Sequence, residues 1–132
     1  MGDMETKIDE LLMRARALDP PVKRIGVQEG DSLYLLPVED ICYVTTREKG
    51  LSYYAADGKI YVNFDSLTEV AKKLADDPKF MKVHKSYLVN LLKVTTVATV
   101  PGGRELKCQG WPGETVKVAQ DYVKGFEAYF KI

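Results

Sequence analysis

Hydrophobic and polar positions follow two different periods along this chain. Near the N-terminus apolar side chains recur every three to four residues, which predicts an amphipathic helix over Thr6–Leu18. Asp19-Pro20-Pro21 ends this helix, because proline disfavours helical geometry in itself and in the residue before it. We therefore predict a helix and linker over residues 1–22, whose apolar face needs a partner: this domain, a second copy or an upstream domain. The apolar stripe comprises Ile8, Leu11, Leu12, Ala15 and Leu18.

From Val22 onward the period changes to two, which is typical of strands with one buried face. Asp57-Gly58 predicts a type I′ hairpin turn, which needs positive φ at both central residues. Alternation in the third strand places Ile41, Tyr43 and Thr45 opposite Cys42 and Val44. The predicted strands are Arg24–Val27, Ser32–Leu36, Ile41–Thr46, Leu51–Ala55, Lys59–Val62, Thr95–Val100, Glu105–Cys108 and Thr115–Val118, with a strand–turn–strand unit inside Phe80–Val94.

Two further helices are predicted among these strands. Ser66–Ala75 begins with a capping box, in which Ser66 and Glu69 each satisfy a free backbone N–H of the first turn. Gln120–Lys131 carries Tyr122, Val123, Phe126, Tyr129 and Phe130 on one side. Because the strands do not alternate regularly with long helices, we predict a mainly β fold with short helices (α+β). We expect it to form one domain over residues 23–132.

Composition is ordinary for a soluble protein, with 45% hydrophobic and 29% charged residues. No apolar run suits a membrane span and no signal peptide is visible, so we expect a cytoplasmic protein without a membrane partner. The net charge is zero, but residues 1–78 hold 10 Lys/Arg and 15 Asp/Glu, and residues 79–132 hold 9 and 4. The basic C-terminal part is compatible with phosphate binding, although such an imbalance is also common on solvated surfaces.

Catalytic and metal-binding patterns are lacking in the sequence. His84 is the single histidine, and nothing near Ser86 marks a nucleophile elbow. Cys42 and Cys108 lie far apart inside apolar strand patterns, which favours buried free thiols over metal ligands. Pro101-Gly102-Gly103-Arg104 has neither the Walker nor the Rossmann glycine spacing of phosphate-binding loops. We therefore expect no enzymatic activity, no metal and no cofactor.

Residues 80–90 carry the most specific pattern in the chain. Phe80, Val83, His84, Ser86, Val89 and Asn90 stand in an order and spacing that resemble the signature of the LytTR family. The flanks agree: Val38-Glu39-Asp40-Ile41, Asp65-Ser66-Leu67 and Val116-Lys117-Val118 resemble other conserved blocks. The resemblance runs from about Arg24 to Phe130, which is most of the chain.

The resemblance implies an elongated arrangement of small, mostly antiparallel sheets with short helices at the side. It implies sequence-specific binding of duplex DNA at tandem direct repeats, by loops that enter successive major grooves. The family's three contact positions correspond to Lys49 and Gly50, to Lys85 after the signature histidine, and to Gln120. The family usually has Arg after Ser at the third position, whereas this chain has Gln120 after Ala119. Glutamine keeps hydrogen-bonding capacity but lacks the guanidinium fork.

The predicted DNA-binding residues combine these positions with basic or polar residues in predicted loops or strands. Ser86 either caps its turn or contacts phosphate, whereas His84 and Asn90 are interpreted as anchors of that turn. Composition alone is equally compatible with the interpretation that these basic and polar residues are ordinary solvated loop residues. The predicted DNA-binding set is Lys49, Gly50, Lys85, Ser86, Arg104, Lys117 and Gln120.

The functional prediction is the output domain of a bacterial transcription regulator in a two-component system. Its expected partners are double-stranded DNA, a second copy on the DNA, and an upstream sensory or receiver domain. The alternative is a LytTR-like protein-interaction or dimerisation module with weak or lost DNA binding. In that case the helix over Thr6–Leu18 would be the interaction element.

Overall fold

The computed structural model describes residues 23–132. The predicted helix Thr6–Leu18 and linker to residue 22 therefore lie outside the described residues. In residues 23–132 the helices are α1 (Leu67–Lys73) and α2 (Gln120–Phe130), with 3₁₀ turns at Val38–Asp40 and Leu91–Lys93. The strands are β1 (Arg24–Glu29), β2 (Ser32–Pro37), β3 (Ile41–Thr46), β4 (Leu51–Ala55), β5 (Ile60–Asn63), β6 (Phe80–His84), β7 (Tyr87–Asn90), β8 (Val94–Val100), β9 (Gly103–Cys108) and β10 (Trp111–Ala119).

These strands form two antiparallel sheets of unequal size. The larger has seven strands in the order β2-β1-β5-β4-β3-β7-β6, and the smaller has three in the order β10-β9-β8. Most neighbours in space are also neighbours in sequence, as expected for hairpin-connected strands. The predicted mainly β fold with antiparallel sheets and short helices is confirmed.

Helix α1 covers one face of the seven-stranded sheet. Its predicted capping box forms: the Glu69 backbone N–H donates to Ser66 Oγ at 3.1 Å, and the Ser66 N–H donates to Glu69 Oε1 at 3.3 Å. Leu67, Val70 and Leu74 enter the first core, together with side chains from β1 to β5 and β7. This core also contains the Tyr34–Tyr61 ring stack, with centroids 5.1 Å apart.

The smaller sheet and α2 cover part of the opposite face and form a second core. Both β10 and α2 pack against β6. This core contains Cys42, Tyr43, Val83, Val89, Leu91, Leu106, Cys108, Val116, Val118 and Phe126. A hydrophobic core therefore lies on each face of the seven-stranded sheet, so its central strands are buried on both faces.

Because β3 is buried on both faces, it does not show the predicted alternation of side chains between two faces. Ile41, Cys42, Tyr43 and Val44 are all buried. The register with β4 shifts between Ile41 and Tyr43, so Ile41 and Val44 enter the first core while Cys42 and Tyr43 both enter the second. A bulge of this kind locally breaks the strict period of two.

Trp111 ties the two sheets together. Its indole Nε1–H donates to the carbonyl of Ala55 at 2.8 Å, and its ring meets Tyr54 edge-on at 4.8 Å. Tyr54 in turn stacks on Tyr43 at 4.3 Å. Beside this cluster the Cys42 thiol donates to the carbonyl of Gln109 at 3.3 Å. The junction therefore combines aromatic packing with satisfied polar groups.

The hairpin between β4 and β5 forms, but its predicted type I′ turn is wrong. Gly58 has φ +84°, whereas Asp57 is not among the positive-φ residues. The Gly58 N–H donates to the Ala55 carbonyl at 3.1 Å, and the Lys59 N–H donates to Asp57 Oδ1 at 2.8 Å. This is the pattern of a three-residue loop with glycine in the left-handed position. The longer loop moves the start of β5 from Lys59 to Ile60.

Other element boundaries shift by a few residues. The last strand begins at Trp111 instead of Thr115, and Phe80–Val94 divides into β6, β7, a 3₁₀ turn and the start of β8. Neither helix within residues 23–132 combines the length and hydropathy that a membrane crossing requires.

Candidate nucleic-acid interface

The two loops with the most basic character lie side by side at one end of the seven-stranded sheet. Strands β3 and β7 pair antiparallel, with Thr45 opposite Tyr87, so the end of β3 adjoins the start of β7. The Thr46 N–H donates to the Ser86 carbonyl at 3.2 Å. The loop 47–50 and the turn 84–86 are therefore neighbours, although they are more than thirty residues apart in sequence.

The turn between β6 and β7 is held by the signature histidine. His84 Nδ1 accepts a hydrogen bond from the Ser86 backbone N–H at 3.0 Å, and its ring meets Tyr87 edge-on at 5.4 Å. Ser86 uses its backbone N–H in this bond and its backbone carbonyl in the bond to Thr46. Lys85, between the two, is exposed. The arrangement fixes the backbone of the turn and leaves the lysine at its tip accessible.

The loop between β3 and β4 depends on Gly50. The Arg47 N–H donates to the Gly50 carbonyl at 3.1 Å and closes the loop. Gly50 has φ +87°, and a Cβ there would lie 2.0 Å from the Asn63 carbonyl oxygen. Only glycine fits both the conformation and the close approach. Gly50 thus shapes the loop that presents Lys49, which is exposed.

Two residues outside the predicted set share this end of the sheet. Arg47 is exposed and opens the loop, and Phe64, which follows β5, is 70% exposed. The Cβ position of Gly50 would lie 2.8 Å from Phe64 Cα, so the phenylalanine borders the loop. We call the group Arg47, Lys49, Phe64 and Lys85 the loop-end surface. The only sequence signal for Phe64 was a large apolar residue between a strand and a helix cap.

Gln120 lies at a second place, between the smaller sheet and α2. It is the first residue of α2, and Ala119 before it pairs with Gly103. A Cβ on Gly103 would lie 2.2 Å from the Val118 carbonyl oxygen, so glycine allows the β8–β9 turn to approach β10. A cleft beside Gln120 is lined by Gly102, Gly103, Arg104 and Lys124. Ala119 occupies the N-cap without a side-chain hydrogen bond, as expected from the loss of a hydroxyl there.

Arg104 is half-buried and bonded to neighbouring side chains of the same domain. Its Nε and Nη2 both lie 3.3 Å from Glu127 Oε1 on α2, and its Nη1 donates to Thr99 Oγ1 at 3.2 Å. These contacts join β8, β9 and α2, which favours a role in positioning α2 over direct contact with a base. Lys117, on β10, is exposed and lies opposite Glu105.

Asn90 is buried at the end of β7. Its Nδ2 donates to the Ile41 carbonyl at 2.9 Å, and its Oδ1 accepts from the Leu92 N–H at 3.0 Å. It thereby caps the following 3₁₀ turn and holds β7 to the start of β3. These contacts lie at the end of β7 opposite Lys85, so the prediction that Asn90 anchors the turn 84–86 is wrong.

The cysteines are free and buried, as predicted. Burial, with a smaller contribution from nearby Cys42, raises the pKa of the Cys108 thiol to about 12, and burial also raises the pKa of Cys42. Both groups are therefore neutral thiols near pH 7, and a neutral thiol is a poor nucleophile and metal ligand.

Comparison with known proteins gives one consistent result. The profile of the LytTr DNA-binding domain matches residues 31–131. The sensory transduction protein LytT of Enterococcus faecalis is 30% identical over 108 residues, which cover 82% of this chain and 43% of that protein. An uncharacterized response regulatory protein of Vibrio cholerae is 32% identical over 83 residues, or 61% of this chain and 31% of that protein. The chain thus spans less than half the length of the curated relatives it matches.

A solved structure agrees in fold. The LytTr DNA-binding domain of a methyl-accepting/DNA response regulator from Bacillus cereus superposes with a TM-score of 0.72. The alignment covers 84% of this chain and 99% of the other, at 19% sequence identity.

Proposed function

Because this chain belongs to the LytTR family of DNA-binding domains, we propose that it recognises a specific sequence in duplex DNA through loop residues, as the output domain of a bacterial transcription regulator. One observation carries the proposal: the loop 47–50 and the turn 84–86 lie side by side, joined by the Thr46–Ser86 hydrogen bond of 3.2 Å. Two separate basic loops thereby become one surface.

Lys85 is the proposed base-reading residue at this surface. The hydrogen bond between His84 Nδ1 and the Ser86 N–H, 3.0 Å long, fixes the turn around it. The ammonium of a lysine at the tip of such a turn can donate to O6 and N7 of guanine in the major groove. Arg47 and Lys49, on the neighbouring loop, would contact phosphates and set the orientation of the domain on the duplex.

Gln120 is the proposed second reading position. A glutamine amide pairs with N6 and N7 of adenine, whereas arginine pairs with guanine. We therefore expect a preference for adenine where relatives with arginine at this position would select guanine. Lys117, exposed on the strand that leads to Gln120, would contact phosphate. Arg104, paired with Glu127 in the second half of α2, would hold this helix against β9.

The names and lengths of the relatives support the view that this domain belongs to a longer regulator protein. Because this chain spans 43% of a sensory transduction protein and 31% of a response regulatory protein, we propose that a receiver or sensory domain accompanies it in the whole protein. Two copies would bind direct repeats, with half-sites about one helical turn, ~10 bp, apart.

The test is selection from a randomised duplex pool at two salt concentrations. A repeated motif and a steep loss of affinity with salt are expected, because each neutralised phosphate releases counterions. If no sequence is enriched and binding is weak even at low salt, the proposal fails.

The alternative is a protein-interaction or dimerisation module. The observation that favours it is a set of exposed apolar side chains on β2 and β5, Leu33, Leu35 and Ile60. That function predicts that no DNA sequence is enriched in the selection. It also predicts that binding to a protein partner is insensitive to salt and to loss of Lys85.

A further inference from the structure

The face of the seven-stranded sheet that carries the second core is only partly covered. The smaller sheet and α2 cover it over β3, β7 and β6, and Trp111 extends the cover to Tyr54 on β4. Beyond Tyr54 this face carries large exposed apolar side chains on β5 and β2. Leu33 is 67% exposed, Leu35 48% and Ile60 49%.

The strand register places these side chains on one face. Tyr34 and Leu36 on β2, like Tyr61 on β5, belong to the first core. Because side chains alternate along a strand, Leu33, Leu35, Ile60 and Val62 point to the other side. We call these four residues the outer apolar face.

The outer apolar face extends over three strands, although the middle strand, β1, contributes to it only Gly26 and the exposed Gln28. Gln28 on β1 pairs with both Leu33 and Val62, and Gly26 pairs with Leu35. The Leu33 side chain lies over Gly26, 3.2 Å from the position of a glycine Cβ. Three adjacent strands span about 10 Å between the outer two, close to the diameter of one α-helix.

The residues before β1 have the pattern and the position to cover this face. The sequence of residues 6–18 predicts one apolar stripe, Ile8, Leu11, Leu12, Ala15 and Leu18. An isolated helix of about this length is marginal in water, so it needs an apolar partner surface. Five residues, 19–23, connect it to β1, and an extended connector of that length reaches about 16 Å. That reach lets the chain fold back over the strand it leads into.

We propose that residues 1–22 dock on the outer apolar face, with the stripe of the predicted helix covering Leu33, Leu35 and Ile60. The partner is thus a segment of the same chain. The proposal concerns a surface away from Lys85 and Gln120 and is independent of DNA binding.

Hydrogen–deuterium exchange on the 132-residue chain tests this. In the wild type we expect slow exchange at the amides of residues 8–18, independent of protein concentration. The double variant Leu33→Lys, Leu35→Lys should speed that exchange by at least about tenfold, because local opening then costs little. Leu92→Lys is the matched control, since Leu92 is 68% exposed outside the outer apolar face, and it should leave the exchange slow.

A reciprocal double variant changes only the predicted helix and leaves residues 23–132 as they are. Leu11→Lys, Leu12→Lys should also release residues 8–18, and it should raise the binding of a hydrophobic dye to the uncovered face. Fast exchange in the wild type, or slow exchange that survives Leu33→Lys, Leu35→Lys, would overturn the proposal. So would protection that appears only as dimer forms on concentration, because a second copy would then be the occupant.

Discussion

At the scale of single residues, Lys85 owes its position to its neighbours. The imidazole of His84 and the backbone of Ser86 hold the turn by a 3.0 Å hydrogen bond, and Ser86 also binds the end of β3. The side chain that would contact DNA is thus carried by groups that are themselves fixed, which lowers the entropy lost on binding.

Replacing Lys85 by alanine should weaken binding to the selected duplex by about 1–3 kcal/mol and relax the preference at one base pair. Fluorescence anisotropy on the selected site and on single-base variants measures both effects. Lys59→Ala is the control, because Lys59 is an exposed lysine in the β4–β5 hairpin, at the other end of β4 from the loop 47–50. Equal losses in the two variants would indicate a general charge effect instead of base recognition.

Gly50→Ala should destabilise the fold by about 2 kcal/mol or more, since a positive φ and a steric clash act together. The clash is with the Asn63 carbonyl oxygen at 2.0 Å. Urea unfolding measures the change. Gly30→Ala separates the two causes, because Gly30 has φ +58° with nothing within 4 Å of its Cβ position. It should therefore cost less, and a loss as large as that of Gly50→Ala would contradict the role given to the contact.

At the scale of elements, α1 and α2 begin in different ways. Helix α1 has a complete capping box, whereas α2 has Ala119 at its N-cap, whose side chain cannot accept a hydrogen bond. The start of α2 is held instead by β10, whose last residue, Ala119, pairs with Gly103, and the Arg104–Glu127 ion pair holds the second half of the helix. Tertiary contacts therefore position Gln120 without help from a local cap.

Ala119→Ser should stabilise the protein by about 0.5–2 kcal/mol, because Ala119 already has the extended φ and ψ of an N-cap and lacks only the hydroxyl. The midpoint of urea unfolding gives the change. Ala128→Ser, an exposed substitution inside the same helix, should be neutral or slightly destabilising. If both variants behave alike, the serine at position 119 does not cap α2.

At the scale of the whole molecule, the second core makes the two sheets one unit. Its side chains come from β3, β6 and β7 of the larger sheet and from β9, β10 and α2 around the smaller one. Unfolding either part would expose the buried surface of the other. The two proposed DNA-contacting regions, the loop-end surface and the start of α2, are joined through this core.

Trp111→Phe should lower the free energy of unfolding by about 1–2 kcal/mol, the net value of a lost hydrogen bond and some packing. The lost bond is that from Nε1 to the Ala55 carbonyl. Circular dichroism in urea is the suitable measurement, because Trp111 is the single tryptophan. A single cooperative transition is expected in both proteins. Tyr129→Phe, at a 38% exposed ring, should leave stability nearly unchanged, and a second transition in either protein would contradict the shared core.

The amino-acid sequence by itself determined the local elements and the family. The period-two pattern predicted most strands, and the Ser66–Glu69 pair predicted the capped start of α1. The pattern from Phe80 to Asn90 predicted the strand–turn–strand unit and the family that residues 31–131 match. These features depend on residues close together in the chain, so local spacing contains the information.

Only the tertiary structure decided which distant residues meet. Three features depend on contacts between segments far apart in sequence: the burial of β3 on both faces, the neighbouring positions of loop 47–50 and turn 84–86, and the ion pair of Arg104 with Glu127. The Asp57-Gly58 turn was mispredicted because a dipeptide does not determine loop length, which also depends on the pairing of β4 with β5. Local patterns indicate which groups could bind DNA, and long-range packing decides which of them share a surface.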